Sequence, residues 1–326
     1  MKISIAVVRA LLFGALTAVG ASGFAQQNYP NRPIRLIVPF PPGGGVTATT
    51  RLYSDKLGES LGQPVVVENR PGGNTIIGTD AVAKAKPDGH TLLAMSSAHV
   101  VNHLLLPNLP YDSFKDFAPV TSVISSSYLL ALHPSVPANN LQEFIALAKA
   151  RPGQLNYSSS GSGGVQHLGG EYFNMMAGVK TQHIPYKGGG PATTDLLGGQ
   201  VQFSFQPADN ALTFVRSGRL KAIAVPGEKR LAILPEVPTF AEAGLPGFEV
   251  RSWGGVLAPA GTPKAIIDRL SAEIARILAT PEVKEKMLTQ GMDPFISTPE
   301  QASALMRTDL ARFAKLIKAA NIRMEN

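Results

Sequence analysis

The sequence predicts an α/β protein of two domains, each a mostly parallel sheet flanked by helices. The chain has 326 residues, and a domain holds roughly 150. Hydrophobic residues make up 44% of the chain and charged residues 16%, which is too apolar for a disordered protein. Short apolar runs alternate with amphipathic stretches, a pattern typical of parallel strands joined by helices.

Composition also excludes several classes of function. The chain has no cysteine, so disulfides, thiol catalysis, iron–sulfur clusters and cysteine-based zinc sites are excluded. The formal net charge is +7, but the basic residues are scattered, without a basic block or an interleaved aromatic stripe. We therefore expect a mild preference for anions and no nucleic-acid partner.

Residues 1–25 have the pattern of a cleavable signal peptide. Lys2 and Arg9 give a positive start, an apolar stretch of about 12 residues follows, and Gly23 and Ala25 are small residues of the kind that signal peptidase requires. A membrane span needs roughly 20 apolar residues. We expect cleavage near Ala25, a periplasmic mature protein, and no lipid anchor because no cysteine follows.

The first third of the mature chain predicts repeated strand–helix units. The apolar run 34–40 predicts a strand, the glycine-rich loop 41–45 follows it, and a helix runs to about Leu61, where Gly62 ends it. The further elements predicted in this third are a strand at 64–68 and a third unit, which runs from Ala81 through a turn at 87–89 into a strand at 91–95.

The middle third repeats the alternation. Pro152 and Gly153 stop a helix, and residues 201–205 alternate with the period of a half-buried strand. The elements predicted here are strands at 127–132, 155–158, 183–186, 201–205 and 220–225, a helix at 141–150, the glycine-rich loop 159–164 and a helix to about 177.

The last third is more helical. Thr262 is predicted to cap a helix with Pro263 at its first position, and apolar residues recur at helical spacing between 266 and 277. Residues 298–301 form a capping box that opens the final helix.

Two glycine-rich loops each leave a strand and open a helix, where free N–H groups and the positive dipole end bind anions. The first offers Gly43, Gly44, Gly45 and the Thr47 hydroxyl; the second offers Ser159, Ser160, Gly161, Ser162, Gly163 and Gly164. In separate lobes that face one cleft, they would hold one anion from both sides. For either loop alone, glycines that serve only as tight turns remain an alternative.

Two further loops end strands with polar groups. Residues 95–99 include Ser96, Ser97 and His99, and residues 186–190 include Tyr186, Gly188 and Gly189. Ligands of open α/β sheets bind at the carboxyl ends of the strands, and all four loops fall there.

Enzymatic interpretations fit less well. Residues 43–48 match a dinucleotide pattern, with Glu68 ending the next strand, but two prolines lengthen the loop and export removes the chain from the nicotinamide pool. Ser162 lacks the glycine two positions before it that a nucleophile elbow requires. His99 and His103 stand at i, i+4 without an evident third metal ligand. We expect no enzymatic activity, no metal and no cofactor.

Seven segments carry a resemblance to a known family: residues 29–40, 61–72, 87–93, 111–120, 183–188, 195–201 and 257–263. On these segments the chain resembles the substrate-binding proteins of tripartite tricarboxylate transporters, the Bordetella uptake gene family. The resemblance implies a two-lobe periplasmic-binding-protein fold of the type II, Venus-flytrap kind. It also implies a carboxylate held between loops that match 40–47 and 158–164, with transporter permease subunits as partners. We expect a monomer.

The chain departs from the family pattern at three positions. Thr47 and Gln206 stand where the family usually or commonly has Asp, and Ile76 stands where it has Asn. Loss of two carboxylates removes repulsion toward a carboxylate ligand and removes partners for a ligand ammonium group. We therefore expect the ligand to be an organic acid without an amine, either a dicarboxylate or an aromatic carboxylate. We expect the pocket to have an apolar wall formed by Phe40, Pro41, Pro42 and Val46.

The predicted lobes are 26–126 with 252–326, and 127–251, so two strands cross between them. Beyond the two gripping loops, we expect the far end of the ligand to meet Ser97, His99, Gln206 and Asn210, with His167 and Asp209 nearby. A protonated His99 would pair with a second carboxylate, so affinity for a diacid would fall above roughly pH 6.5. An exported ligand sensor for two-component signalling is the alternative function.

Overall fold

The computed structural model describes residues 29–43, 45–289, 292–319 and 322. The expected signal peptide and Gly44 lie outside the described residues. None of the helices in these ranges is long and apolar enough to cross a bilayer.

The described elements alternate along the chain as the sequence predicts. The strands are β1 (Ile34–Val38), β2 (Val65–Asn69), β3 (Thr91–Ser96), β4 (Phe117–Leu132), β5 (Asn156–Ser159), β6 (Gln182–Pro185), β7 (Phe203–Pro207), β8 (Lys221–Ala224), β9 (Arg251–Pro259) and β10 (Asp293–Pro294). The helices are α1 (Gly45–Leu61), α2 (Ile76–Ala83), α3 (Ala98–Leu105), α4 (Leu141–Ala150), α5 (Val165–Ala177), α6 (Gly189–Leu197), α7 (Ala208–Arg216), α8 (Lys264–Leu278), α9 (Pro281–Thr289) and α10 (Pro299–Ala319).

The first sheet has the strand order β2-β1-β3-β9-β4, with β10 on β4. Strands β2, β1 and β3 are parallel, whereas β9, β4 and β10 join antiparallel. Each face of this sheet is covered by its own apolar cluster, one around Leu36 and Leu270 and the other around Ile37 and Phe313. Successive side chains of a strand point to opposite faces, so adjacent Leu36 and Ile37 belong to different clusters.

The second sheet is formed by the last part of β4 with β7, β5 and β6, and β8 also pairs with β4. Strands β7, β5 and β6 are parallel. Again two clusters cover the faces, one rich in phenylalanines around Phe173 and Phe205, several of them stacked, and the other around Leu129 and Leu196. Both sheets are therefore packed between helices, as parallel strands require.

Strands β4 and β9 join the two sheets. The 16-residue strand β4 pairs with β9 as far as Ser127 and with β7 and β8 beyond it. The sequence predicted only 127–132 of β4 and did not predict β9. The reason is that β9 is buried along eight of its nine residues and contains Gly254 and Gly255, which are poor strand formers without the packing that surrounds them.

The helix starts of the last third differ in how well they were predicted. The capping box is confirmed, because the Gln301 amide donates to the Thr298 hydroxyl and the Thr298 amide donates to the Gln301 side chain. The cap at Thr262 is wrong. Pro263 occupies the cap position of α8, and the Thr262 hydroxyl donates to the Pro259 carbonyl instead.

Candidate functional site

The carboxyl ends of β3 and β7, one parallel strand from each sheet, lie at the β4–β9 junction. Ser96 at the end of β3 is in register with Gly254 of β9. Pro207 at the end of β7 is in register with Tyr128 of β4, and Ser126, two residues before Tyr128, still pairs with β9. The loops that follow β3 and β7 therefore flank one junction from opposite sheets, so two candidate edges of a ligand cleft meet there.

The first loop leaves β1 and opens α1, as predicted. Pro41, Pro42 and Gly43 are exposed, and Gly43 has a φ of 86°, a conformation that favours glycine. Phe40 and Val46 are half-buried and pack against the apolar cluster on that side of the sheet. Gly45 is exposed and is the first residue of the 17-residue helix α1. The N-terminal end of this helix is therefore exposed at the first loop.

Thr47 faces inward and braces the loop. Its hydroxyl accepts a hydrogen bond of 2.9 Å from the Asn69 side chain and lies 3.4 Å from the Pro41 carbonyl, to which it donates. The same Asn69 amide donates to the Phe40 carbonyl at 2.9 Å. Sequence reasoning missed Asn69, although it opens the Asn-Arg-Pro motif at the carboxyl end of β2.

Most backbone amides of the second loop already donate hydrogen bonds within the protein. The Ser160 amide donates to the Gln166 side chain (2.8 Å), the Gly161 amide to the Ser159 hydroxyl (3.2 Å), the Gly163 amide to His167 Nδ1 (3.0 Å) and the Gly164 amide to the Gly161 carbonyl (3.4 Å). Four of the five amides from 160 to 164 thus have partners within the loop and α5. The expectation that these amides all converge on a carboxylate is not met by this arrangement, because α5 supplies two of the acceptors.

A stack of histidines supports the second loop. The rings of His167 and His183 lie 3.9 Å apart and nearly parallel, and His183 Nε2 is 2.6 Å from the Ser159 hydroxyl. Since that hydroxyl donates to the Gly161 carbonyl and has one proton, His183 is the donor to it. Likewise His167 Nδ1 accepts from Gly163, so neither ring needs a charge.

Both histidines are held neutral. Burial lowers the pKa of His167 to about 4. Burial together with the neighbouring His167 lowers the pKa of His183 to about 3. The role of His167 is therefore to order the loop, and His183, which sequence reasoning did not select, acts with it.

The third loop is tied to β9 within the first sheet, but His99 turns away from it. The Ser97 hydroxyl is buried 3.0 Å from the Ser252 hydroxyl of β9, and the Ser96 hydroxyl accepts from the Ala98 amide. His99 is buried against Tyr111 and Phe117 and bonds the Ser113 carbonyl at 2.8 Å. Burial lowers the pKa of His99 to about 4, which argues against the proton-dependent ligand contact expected for it.

The fourth loop is tied to the second. The Tyr186 amide donates to the Ser159 carbonyl and the Gly188 amide to the Ser160 carbonyl at 3.1 Å. The Tyr186 hydroxyl donates to Asp195 at 2.6 Å. Gly188 has a φ of 114° and Gly189 begins α6. Tyr186 thus fixes α6, while Gly188 and exposed Gly189 lie beside the second loop.

Gln206 carries a free donor at the end of β7. Its side chain is 1% exposed, and its Oε1 accepts from the Thr193 hydroxyl at 3.2 Å. Its Nε2 is buried and has no hydrogen-bond partner among the described residues. An unsatisfied buried donor is costly, so this amide is the group in the second sheet best placed to gain from an acceptor.

Asp209 and Asn210 follow Gln206 in the first turn of α7. Burial raises the pKa of Asp209, and Asp209 also lies near the buried Tyr128 of β4. Asn210 is exposed. The structure therefore brings the residues after β3 and after β7 to one junction from two sheets, whereas His99 faces a core.

Comparison with known proteins identifies the family of the chain. The family described as tripartite tricarboxylate transporter family receptor matches residues 49–322. Protein BugT of Bordetella pertussis is 39% identical, covering 95% of each chain.

Two solved structures share the fold closely. The R. palustris protein Rpa4515 with adipate has a TM-score of 0.84 and 33% identity, covering 91% of this chain and all of its own. MatC from Rhodopseudomonas palustris with bound malate has a TM-score of 0.78 and 32% identity, covering 89% of this chain and all of its own. These likenesses confirm the predicted α/β periplasmic-binding-protein fold, and the chain belongs to the family of tripartite tricarboxylate transporter receptors.

Proposed function

We propose that this protein is a periplasmic solute-binding receptor that captures an organic carboxylate and delivers it to a tripartite tricarboxylate-type membrane transporter. The observation that supports it most is the meeting of the loops after β3 and β7 at the β4–β9 junction. Ligand-binding groups on two sheets around one junction suit a protein that closes on a solute. Binding and closure need no catalytic side chain, and this agrees with membership in a family of receptors.

The lobes of this receptor are 26–126 with 252–326, and 127–251. The support is the pairing of β4, which changes partners from β9 to β7 between Ser127 and Tyr128. A joint of two strands allows closure through small dihedral changes at a few residues.

The ligand is a dicarboxylate without an amine. Similar proteins are described with adipate and with malate. In this chain neutral Thr47 lies at the first loop and neutral Gln206 near the end of β7. The Gln206 Nε2, which has no partner among the described residues, is a donor that matches a carboxylate oxygen and not an ammonium group.

The grip on the near carboxylate comes from the helix start at Gly45, the amide of Ser162 and the hydroxyls of Ser160 and Ser162. The other amides of the second loop already have partners and serve to hold its shape. Hydrogen bonds to a charged group contribute roughly 1.5–3 kcal/mol each, a gain that desolvation of the carboxylate offsets in part. Several donors and exclusion of water are therefore both required.

The test is a thermal-shift and calorimetric screen of the mature protein against adipate, malate, benzoate, aspartate and NAD. A ligand at 100 times its dissociation constant raises stability by about 2.7 kcal/mol. We expect a saturable shift with a diacid and a much smaller one with aspartate. A shift with aspartate alone would contradict the ligand class, and a shift with NAD alone would contradict the receptor function.

A further inference from the structure

A cavity lies away from the ligand loops, between α5 and α10. Its volume is about 470 Å³, within the roughly 300–1,000 Å³ of small-molecule sites. Most of its wall is apolar, with Leu168 and Met175 from α5 and Phe313 and Leu316 from α10. Met175 is 40% exposed, so apolar surface continues from the wall to the mouth. None of the four loops described above contributes to this wall.

The polar groups of this cavity are mainly cationic. Arg251, Arg312 and Lys315 line it, with Glu249 as the acidic lining residue. Arg312 Nη2 pairs with Asp309 at 2.9 Å, and Arg312 Nη1 lies 4.0 Å from Glu249. Counting both acids against the three bases still leaves one positive charge in excess.

Part of the Arg312 guanidinium is left without a partner. Its Nε is buried and makes no hydrogen bond within the described part of the chain. Neither Arg251 nor Lys315 pairs with a described carboxylate. A guanidinium nitrogen removed from water gains from an anionic acceptor, and the cavity beside it is apolar. A ligand that carries a carboxylate on an apolar body would match both the guanidinium and the apolar wall.

We propose that the cavity between α5 and α10 is a second binding site, which takes a monocarboxylate with an apolar body such as a medium-chain acid. The body lies between Leu168, Met175, Phe313 and Leu316, and the carboxylate lies toward Arg312 and Lys315. Because α5 belongs to the second sheet's layer and α10 packs on the first, the ligand contacts both halves of the molecule.

The test uses octanoate as the probe, with octan-1-ol as its uncharged match, in calorimetric titration of the mature protein. Two variants address the site. Ala311→Trp fills the cavity from an exposed helical position, and Lys315→Glu reverses a charge at its wall. The matched controls are Ala304→Trp and Lys318→Glu, exposed on the same helix outside the cavity wall. Thermal melts of all four verify that they fold.

We expect octanoate to bind the parent and both controls with the same affinity, and octan-1-ol to bind the parent at least fivefold more weakly than octanoate. Lys315→Glu should weaken octanoate binding at least fivefold, and Ala311→Trp should abolish it. Thr47→Asp, in the first loop, should leave octanoate binding unchanged. The proposal is overturned if the parent does not bind octanoate at millimolar concentration, if Ala311→Trp binds it as the parent does, or if Thr47→Asp abolishes it, since the probe would then occupy the ligand cleft.

Discussion

Thr47 is the residue of the first loop at which the family resemblance leads us to expect an acid, and its side chain is neutral. We predict that Thr47→Asp weakens binding of the native carboxylate at least tenfold, because a buried carboxylate at the start of α1 competes for the same positive helix end and repels the ligand. Thr47→Asn is the matched control, since it can keep a bond to Asn69 without a charge. Calorimetric titration of both variants measures the difference; equal affinities would show that the carboxylate binds elsewhere.

The free energy of unfolding depends on pH in part through His167. Its pKa in the folded protein is about 4 against 6.5 for a free imidazole, so the unfolded chain binds more protons between these values. Stability is therefore constant above about pH 6.5 and falls as the pH drops toward 4. Between pH 7 and pH 5 we predict a loss of about 2 kcal/mol from this group.

Urea unfolding at several pH values measures this term. His167→Gln, whose side-chain oxygen can still accept from the Gly163 amide, should show a shallower decline in the free energy of unfolding than the parent. His133→Gln is the matched control for loss of an imidazole and should follow the parent. If the His167→Gln and parent curves run parallel, the histidine stack does not hold a neutral ring.

Sequence reasoning selected the loops of the site but not the residues that shape them. Asn69, Gln166 and His183 were missed, and each acts on a loop through a side-chain bond to a residue 22, 6 or 24 positions away. His99 was selected because it follows a strand end, yet α3 turns its ring into the core. Local pattern shows where a loop stands, whereas the direction of a side chain depends on the tertiary packing around it.

At the scale of elements, β9 depends on close contact between backbones. A Cβ on Gly255 would lie 2.8 Å from the Thr121 carbonyl oxygen of β4, which is a backbone atom that cannot rotate away. We predict that Gly255→Ala lowers the free energy of unfolding by about 1–3 kcal/mol. Gly227→Ala is the control, since its nearest contact is an ordinary 3.9 Å. Urea unfolding should show a lower midpoint with an unchanged slope; a midpoint equal to that of the control would contradict the close approach.

The elements that sequence predicted well are those whose signals are local. Helix α1 ends at Leu61 as Gly62 predicted, and α10 opens at its capping box. The first part of β4 and all of β9 were missed because their strand character comes from pairing with each other, with two register shifts along the way. Such pairing joins residues more than 120 positions apart and leaves no periodic signal.

At the scale of the whole molecule, the two repeated strand–loop–helix units predicted a two-part α/β protein, and the fold is confirmed. Composition and periodicity did not predict how the chain crosses between the two sheets. The antiparallel strands β4 and β9 carry it, and they also bring the carboxyl ends of β3 and β7 to one junction. The site is therefore a consequence of topology that only the complete sheet shows.

Closure of the two lobes is the last prediction. The chain has no cysteine, so two introduced thiols are the only labelling positions. Pro42→Cys and Lys187→Cys place spin labels on exposed residues of the first and fourth loops, which belong to opposite lobes in the proposed division. With a saturating diacid identified by the screen, the label distance should shorten and its distribution narrow, because the closed state is the one that excludes water from the carboxylate. Lys187→Cys with Arg219→Cys, both on the second lobe, is the control and should not change. A cleft distance that stays constant while calorimetry shows the same double variant binding would mean that the lobes are rigid and that the ligand enters a preformed site.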